Sequence, residues 1–470
     1  MQRMQRIRPF LPAFLLFWLA LLVRIIYNLT VALNYYPLYD SLAYQSIGFN
    51  LIDEHCFCLH PYITTVYRPP LWPFLIAGIS LIFGRANIYD RLFLCCIDSG
   101  TCVFIYLFVR DLFNKRIGLV AGLIACIYPA LYIYDGWMYT ESLFTFLLTA
   151  TCYCVFCIQR DEGKRRSLWV LCGVLLALLS LTRPNGIIVI ALVLLWTIFL
   201  VWRKLLRKRV LVNVALATLV ACLLIAPWTL RNYLVSHSFV PVATGDGTVL
   251  LGAYNDQVLT RQQNLGGWIN PLQTDPAVLK PFPLYTCNAV CEVTREDVSK
   301  DAAIQWMKSH LNAMPELMLY HLRNFWTPYT READFPMERF SSLLASQVVR
   351  AMSETFPIPI MLLAALGLVV TLRRFWRELF FAYLVILITL SEALVYYGSS
   401  RFRAPIEPLL ILLAAGALWW LTQDEPGTLR RRMQQHRRKQ SPGENEVLLL
   451  HEAEKIEKTS KTTKGTATHI

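Results

Sequence analysis

The sequence predicts an all-α polytopic membrane protein of about 10–12 transmembrane helices, with an interfacial helix in the first outer loop and a small outer domain. Two observations carry this. The 470 residues are 56% hydrophobic with a mean hydropathy of +0.43, more apolar surface than a soluble domain of this size carries. The net charge of +13 is gathered in short clusters between apolar runs: RMQRIR, RDLFNKR, KRR after Glu162, WRKLLRKR, LRRFWR and, in the tail, RRRMQQHRRK. That spacing is the positive-inside pattern, with anionic lipid head groups as partners and no nucleic acid.

Taken in order, the spans read as 10–33, 91–109, 117–134, 139–158, 167–182, 184–202, 210–230, 356–372, 378–397 and 403–422. The first is too long for a cleavable signal core and has no small-residue cleavage pattern after it, so it reads as a retained anchor. One apolar run, Pro69 to Gly84, is too short to span: sixteen residues reach only about 24 Å of a roughly 30 Å core. If it spanned, RDLFNKR and WRKLLRKR would fall outside. If it lies on the outer interface, every basic cluster falls inside. The expected topology therefore has ten spans, both termini cytoplasmic, in a multi-pass cell-membrane protein.

The expected divisions are 1–231, a transmembrane module with a first outer loop over 34–91; 232–355, an extracytoplasmic segment; 356–422, the last transmembrane helices; and 423–470, a cytoplasmic tail. The outer segment is too long for a connector and reads as a small domain packed on the bundle. The polar tail reads as mostly disordered, with a short helix near NEVLLLHEAEKIEK. Most cysteines fall inside apolar spans. Cys56, Cys58, Cys287 and Cys291 fall in outer loops at CxC and CxxxC spacing, either disulfide-bonded or free.

Chemistry-bearing residues collect at the outer boundary. Asp40 follows the first span, flanked by Tyr36, Tyr39 and Tyr44. Asp135 and Glu141 lie in YDGWMYTES, and Arg68, Arg183, Arg231, Arg401 and Arg403 sit at outer ends against the positive-inside bias. Acids near hydrocarbon are costly and usually functional. Guanidinium forks suit a phosphate, and a carboxylate at this depth can take a proton from an acceptor. No Gly-rich nucleotide loop is present, which favours a lipid-phosphate donor over a sugar nucleotide.

The pieces YDSLAY, YRPPLWPF, MYTESLFTF, LTRPNG, APWTLRNY, VPVATGDGTVLLGAYN and RFRAPIEPLLILLAAGAL resemble the bacterial glycosyltransferases of the protein O-mannosyltransferase and aminoarabinose-transferase type. These are GT-C-fold membrane enzymes grouped in glycosyltransferase family 39. The resemblance runs from about Leu11 to Leu421. It implies an inverting hexosyl- or pentosyltransferase that takes a sugar from a polyprenyl-phosphate carrier on the outer face. The acceptor is a lipid, a glycan or a protein. It implies Asp40 as catalytic base, Glu141 as the second catalytic acid, and Arg68, Arg401 and Arg403 around the donor phosphate. Tyr44, Tyr67, Arg183, Arg231 and Asn255 fall in the same pieces, and Asp135 in the turn just before one of them, as candidate substrate-binding residues. No metal ligand and no definite cofactor are assigned, and a divalent cation is left open. A lone Asp40–Ser41 replaces the Asp-Glu pair of the eukaryotic enzymes, so sugar and acceptor identity do not follow.

Two other readings share these features: a non-enzymatic transporter or flippase of lipid-linked sugars, and a glycan polymerase or ligase. A transporter places charge near the bilayer midplane and often shows repeated halves. Here no repeat is visible and the assigned charges lie at one face.

Overall fold

The computed structural model describes residues 10–33, 37–261, 265–283, 286–328 and 342–423. The expected tail helix and two basic clusters, RMQRIR and RRRMQQHRRK, lie outside them. The chain divides into a body ending at Leu418 and a C-terminal unit from Trp419.

Among the described residues the body is helical but for one small hairpin. The first span is α1 (Leu11–Thr30), and the first loop holds α2 (Asp40–Asp53), β1 (Cys58–His60), β2 (Ile63–Thr64) and α3 (Leu71–Phe83). Then come α4 (Asn87–Leu112), α5 (Lys115–Ile127), α6 (Pro129–Trp137), α7 (Thr140–Arg160), α8 (Arg166–Thr182), α9 (Gly186–Trp202) and α10 (Val210–Ser236). The segment after α10 contributes α11 (Asp246–Ala253), three one-turn helices, α12 (Ala289–Ser309), α13 (Met314–Trp326) and α14 (Leu343–Thr355). The last elements are α15 (Pro357–Arg374), α16 (Trp376–Val395), a turn at Ser400–Arg403, and α17 (Glu407–Leu421).

Eight described segments are long and apolar enough to cross a membrane, with Tyr128 only interrupting one of them between α5 and α6. The outer faces of these helices are apolar. Leu15, Trp18, Leu22, Ile26 and Leu29 line one side of α1, and Leu219, Leu223, Leu224 and Leu230 lie exposed on α10. A soluble protein does not leave stripes of this size in water. They face lipid.

Side-chain contacts sort the helix ends into two sets. At one end Phe113 packs on Phe375 with ring centroids 5.1 Å apart. There Gln159 donates to the Arg377 carbonyl at 2.8 Å, and Asn213 to the Gly163 carbonyl at 3.0 Å. Gly163 ends α7 at φ +69°, where a Cβ would come within 2.7 Å of Val210. The ends of α4 and α7, the start of α10 and the α15–α16 joint meet there, and the four basic clusters among the described residues lie with them. At the opposite end Arg91 donates to the Ala32 carbonyl at 2.6 Å, and Gln45 to Asn87 at 2.7 Å.

This settles α3. It follows Arg68 and precedes Asn87, both at the second end, so the helix leaves and returns on one side. Thirteen residues long, it reaches about 20 Å, short of a crossing. The two other short apolar helices, α8 and α9, run between the two ends. With the eight long segments they make the ten spans read from hydropathy.

The first span carries a charge inside the bundle that the sequence reading did not weigh. Arg24 of α1 is fully buried. It donates to Asp98 of α4 at 2.6 Å and lies 3.8 Å from Asp135 of α6. Asp135, expected in an outer turn near the substrate, is instead a buried bundle residue. Ionised groups at this depth persist only when paired, and Arg24 supplies the pairing.

Candidate active site

The two acids are aimed by unusual backbone. Tyr39, just before Asp40, holds φ at +52°, and Met138, three residues before Glu141, holds φ at +55°. Side chains seldom adopt positive φ, and when they do it often marks a functional site. Each turn starts a helix, so Asp40 opens α2 and Glu141 lies in the first turn of α7. The helix dipole favours a carboxylate at both places.

Three arginines converge on these acids from distant parts of the chain. Arg68 donates to Asp40 Oδ1 at 2.5 Å, and Arg401 to Asp40 Oδ2 at 2.7 Å. Arg401 also donates through Nε to Glu141 Oε1, which receives Arg183 at 2.8 Å. Aromatic faces back the guanidiniums. Tyr67 lies 4.4 Å and Tyr44 5.3 Å from Arg68, and Tyr139 lies 4.4 Å from Arg401. Three cations against two carboxylates leave a surplus of one positive charge, which suits an anionic ligand.

Exposure separates the acids. The Asp40 side chain is 23% exposed and that of Glu141 0%. Solvent reaches Asp40. Glu141 is enclosed and can act only through Arg401 and Arg183. Burial raises the Asp40 pKa, but Arg68 and Arg401 outweigh it and hold the carboxyl well below the usual carboxylate range.

Of the other expected residues, Tyr44, Tyr67 and Arg183 join this cluster. Arg403 does not. Fully buried, it pairs with Glu407 at 2.7 Å and donates to the Phe325 and Thr327 carbonyls at 2.6 and 2.8 Å. Residues two apart on a helical turn point in different directions, so one arginine of RFR enters the site and the other ties α17 to α13. Arg231 braces the hairpin, donating to the Thr65 carbonyl at 2.7 Å and stacking on Trp228 at 5.0 Å. Asn255 closes α11, donating to the Gly252 carbonyl at 3.0 Å. Cys56 pairs with Cys58 and Cys287 with Cys291, at Cα separations of 5.3 and 5.2 Å.

The described residues contain no cluster of three His, Cys, Asp or Glu side chains suited to a metal. Asp40 and Glu141 are joined by a guanidinium, and this donor set does not fit a divalent ion.

The sequence reading missed Glu292 of α12. Only 3% exposed, it accepts from the Thr65 hydroxyl at 2.5 Å and the Val66 N–H at 2.7 Å. Burial pushes its carboxyl up from 4.5 to about 6, against the pull of those two donors and of Arg295 and Arg231. An acid raised on folding gives full stability below its unfolded pKa and loses it as pH rises through its folded one. Relative to Glu292→Gln, the wild-type protein is expected to lose about 2 kcal/mol between pH 4.5 and pH 7. Thermal unfolding in detergent at both pH values checks this; equal differences at the two would remove the assignment.

Residues 67–230 match the dolichyl-phosphate-mannose-protein mannosyltransferase family. That stretch holds Arg68, Glu141 and Arg183, but neither Asp40 nor Arg401. The archaeal oligosaccharyltransferase AglB from Archaeoglobus fulgidus, in complex with an inhibitory peptide and a dolichol-phosphate, superposes with a TM-score of 0.51 at 14% identity. That match covers 86% of this chain and 50% of the other. The Archaeoglobus fulgidus oligosaccharyltransferase in complex with Zn and sulfate gives 0.52 at 15% identity, covering 87% and 48%. ArnT from Cupriavidus metallidurans bound to undecaprenyl phosphate gives 0.40 at 13% identity, covering 86% and 77%. The chain thus spans about half the length of the oligosaccharyltransferase structures. No curated protein matches it in sequence. The fold is shared with the Archaeoglobus fulgidus oligosaccharyltransferase, and residues 67–230 match the mannosyltransferase family model.

Proposed function

We propose that this protein is an inverting membrane glycosyltransferase that moves a sugar from a polyprenyl-phosphate carrier to a lipid, glycan or protein acceptor on the outer face of the membrane. The observation that carries the reading is the Arg68–Asp40–Arg401–Glu141–Arg183 cluster. It places a reachable carboxylate beside guanidiniums with one positive charge in surplus. The family match and the AglB complex with dolichol-phosphate support a lipid-phosphate donor.

In this reading an acceptor hydroxyl or amine attacks the anomeric carbon from the side opposite the phosphate. The new bond to that carbon forms as its bond to the phosphate oxygen breaks, and the bonding pair leaves with the phosphate. Asp40 takes the acceptor's proton. Arg68 and Arg401 hold the leaving phosphate, which departs ionised and needs cationic stabilisation more than a strong acid. Glu141 orients Arg401 and Arg183. A guanidinium has five N–H donors, and Asp40 takes one from Arg68, so phosphate and carboxylate can share that group. Phosphate also competes for the arginines that depress Asp40, which makes Asp40 a better base once the donor is bound.

The test is a transfer assay with purified protein, a labelled polyprenyl-phosphate sugar, and lipid, glycan and protein acceptors offered separately. Release of polyprenyl phosphate with label on one acceptor is expected. No transfer to any acceptor, with no binding of undecaprenyl phosphate, rejects the proposal.

The membrane side follows from charge. The four basic clusters among the described residues lie at the end opposite the site, so the positive-inside bias puts the site outside and, in this reading, both termini in the cytoplasm. Single cysteines placed between positions 85 and 91 are expected to react with an impermeant thiol reagent on intact cells. Reaction only after the membrane is opened would reverse the topology.

A further inference from the structure

Glu292 and Glu296 stand four residues apart on α12, outside the stretch that matches the family. Both turn inward, at 3% and 7% exposure. Glu292 takes Thr65 and Val66, as described. Glu296 accepts from the Gly245 N–H at 2.8 Å and the Gly247 N–H at 2.9 Å. Two carboxylates of one helix thus satisfy three backbone donors and a hydroxyl on two separate loops.

Those loops also hold each other. The Thr244 N–H donates to the Val66 carbonyl at 2.9 Å, and within the first loop the Tyr67 N–H donates to the Thr65 hydroxyl at 3.0 Å. Gly245 sits at φ +125°, and a Cβ there would approach the Tyr67 ring to 3.3 Å. The residue after Tyr67 is Arg68, whose guanidinium lies on Asp40 and over the Tyr67 ring. The first turn of α12 is itself anchored: Asn288 caps it by accepting from the Cys291 N–H at 3.0 Å, and Cys291 is bonded to Cys287. A buried carboxylate is costly unless its hydrogen bonds are made. Here those bonds fall on the backbone beside the cation of the site, where packing alone would be served by an apolar side chain.

We propose that Glu292 and Glu296 are positioning residues: through Val66 and Gly245 they set where Tyr67 and Arg68 stand, which makes the outer segment a working part of the donor site. The inference rests on the reading that Arg68 meets the donor phosphate. A displaced Arg68 binds the donor phosphate less well, while Asp40 keeps its second partner, Arg401. Because Arg68 meets the phosphate already in the ground state, the larger share of the loss belongs in donor affinity and donor KM rather than in kcat.

The experiment uses the purified full chain in detergent with Glu292→Ala, Glu292→Gln, Glu296→Ala and, as control on the same helix, the exposed Asp297→Asn. Three quantities are read: hydrogen exchange at the Val66 and Tyr67 amides, affinity for undecaprenyl phosphate, and donor KM against kcat in the transfer assay. Glu292→Ala is expected to speed exchange and to raise both Kd and donor KM about tenfold, with kcat within about threefold. Glu296→Ala should act in the same direction. Glu292→Gln should come back to within about threefold of wild type, because its carbonyl can accept from Val66 and its amide can donate to the Thr65 hydroxyl. Asp297→Asn should match wild type. If Glu292→Ala does not fold, Thr65→Val removes the hydroxyl partner and carries the same expectation. Faster exchange with unchanged Kd overturns the positioning role, and so does unchanged exchange. Failure of the wild-type chain to bind undecaprenyl phosphate overturns the donor reading and the role resting on it. Wild-type binding with an unaltered Glu292→Ala constant overturns the positioning role alone.

Discussion

Asp40→Asn is expected to abolish sugar transfer, by about 10²–10⁴-fold or more, while the protein still inserts and folds. The amide keeps the size of the carboxylate and can still accept a hydrogen bond from Arg68 or Arg401, but it cannot take a proton. Because the change removes one negative charge, the surplus positive charge of the site rises, so undecaprenyl phosphate should bind at least as tightly as to wild type. Lost turnover with retained binding separates a missing base from a collapsed site. The pH profile offers a second check. In the free protein two arginines hold Asp40 well below the usual carboxylate range, and a bound phosphate draws on the same arginines. The acid limb of kcat, which reports the complex, should therefore lie at higher pH than that of kcat/KM, which reports the free enzyme. Normal turnover by purified Asp40→Asn would falsify the assignment of the base.

The second large effect separates two arginines that the sequence presents together. Arg401 bridges Asp40 and Glu141, so Arg401→Ala removes the central cation of the cluster. A lost donor to developing charge typically lowers kcat about 10²–10³-fold. Arg401→Lys keeps the charge without the planar fork that reaches both acids, and should lie between alanine and wild type. Arg403→Ala should behave differently. It strips the partner from buried Glu407 and two carbonyls near the end of α13, and breaking a buried pair on one side costs about 3–5 kcal/mol. The expected result is a lower melting temperature, with kcat and donor KM of the folded fraction near wild type. If Arg403→Ala instead lowers kcat with unchanged stability, while Arg401→Ala is silent, the two assignments must be exchanged.

The intramembrane group of Arg24, Asp98 and Asp135 bears on the transporter alternative. A charge within a span is by default a functional candidate, and Arg24 stands alone among apolar residues in α1. It is nevertheless enclosed and paired with Asp98. It ties α1 to α4, while the reachable charge stays at the site end.

Much of the architecture was legible because a membrane imposes a one-dimensional code. Span length follows from bilayer thickness, so the spanning helices and the short Pro69–Gly84 helix could be read by counting. Asp40, Glu141, Arg68, Arg183 and Arg401 could be singled out for a related reason: charged residues at the outer ends of apolar helices are anomalies that hydropathy exposes. What counting cannot supply is the direction of a side chain around its helix or the identity of its partner. Arg401 and Arg403 have the same local signal and opposite destinations, decided by which face of one turn meets Asp40 and which meets Glu407. Asp135 reads as an outer-turn acid until α6 extends over it and turns it toward Arg24. Glu292 lies in a polar run, EVTREDVSKD, that looks solvated throughout. Only the docking of α12 on the first loop, more than two hundred residues away in the chain, puts that carboxylate beneath Val66. Depth and charge bias are properties of a segment, and the sequence states them. A partner is a property of two segments, and the tertiary structure alone decides it.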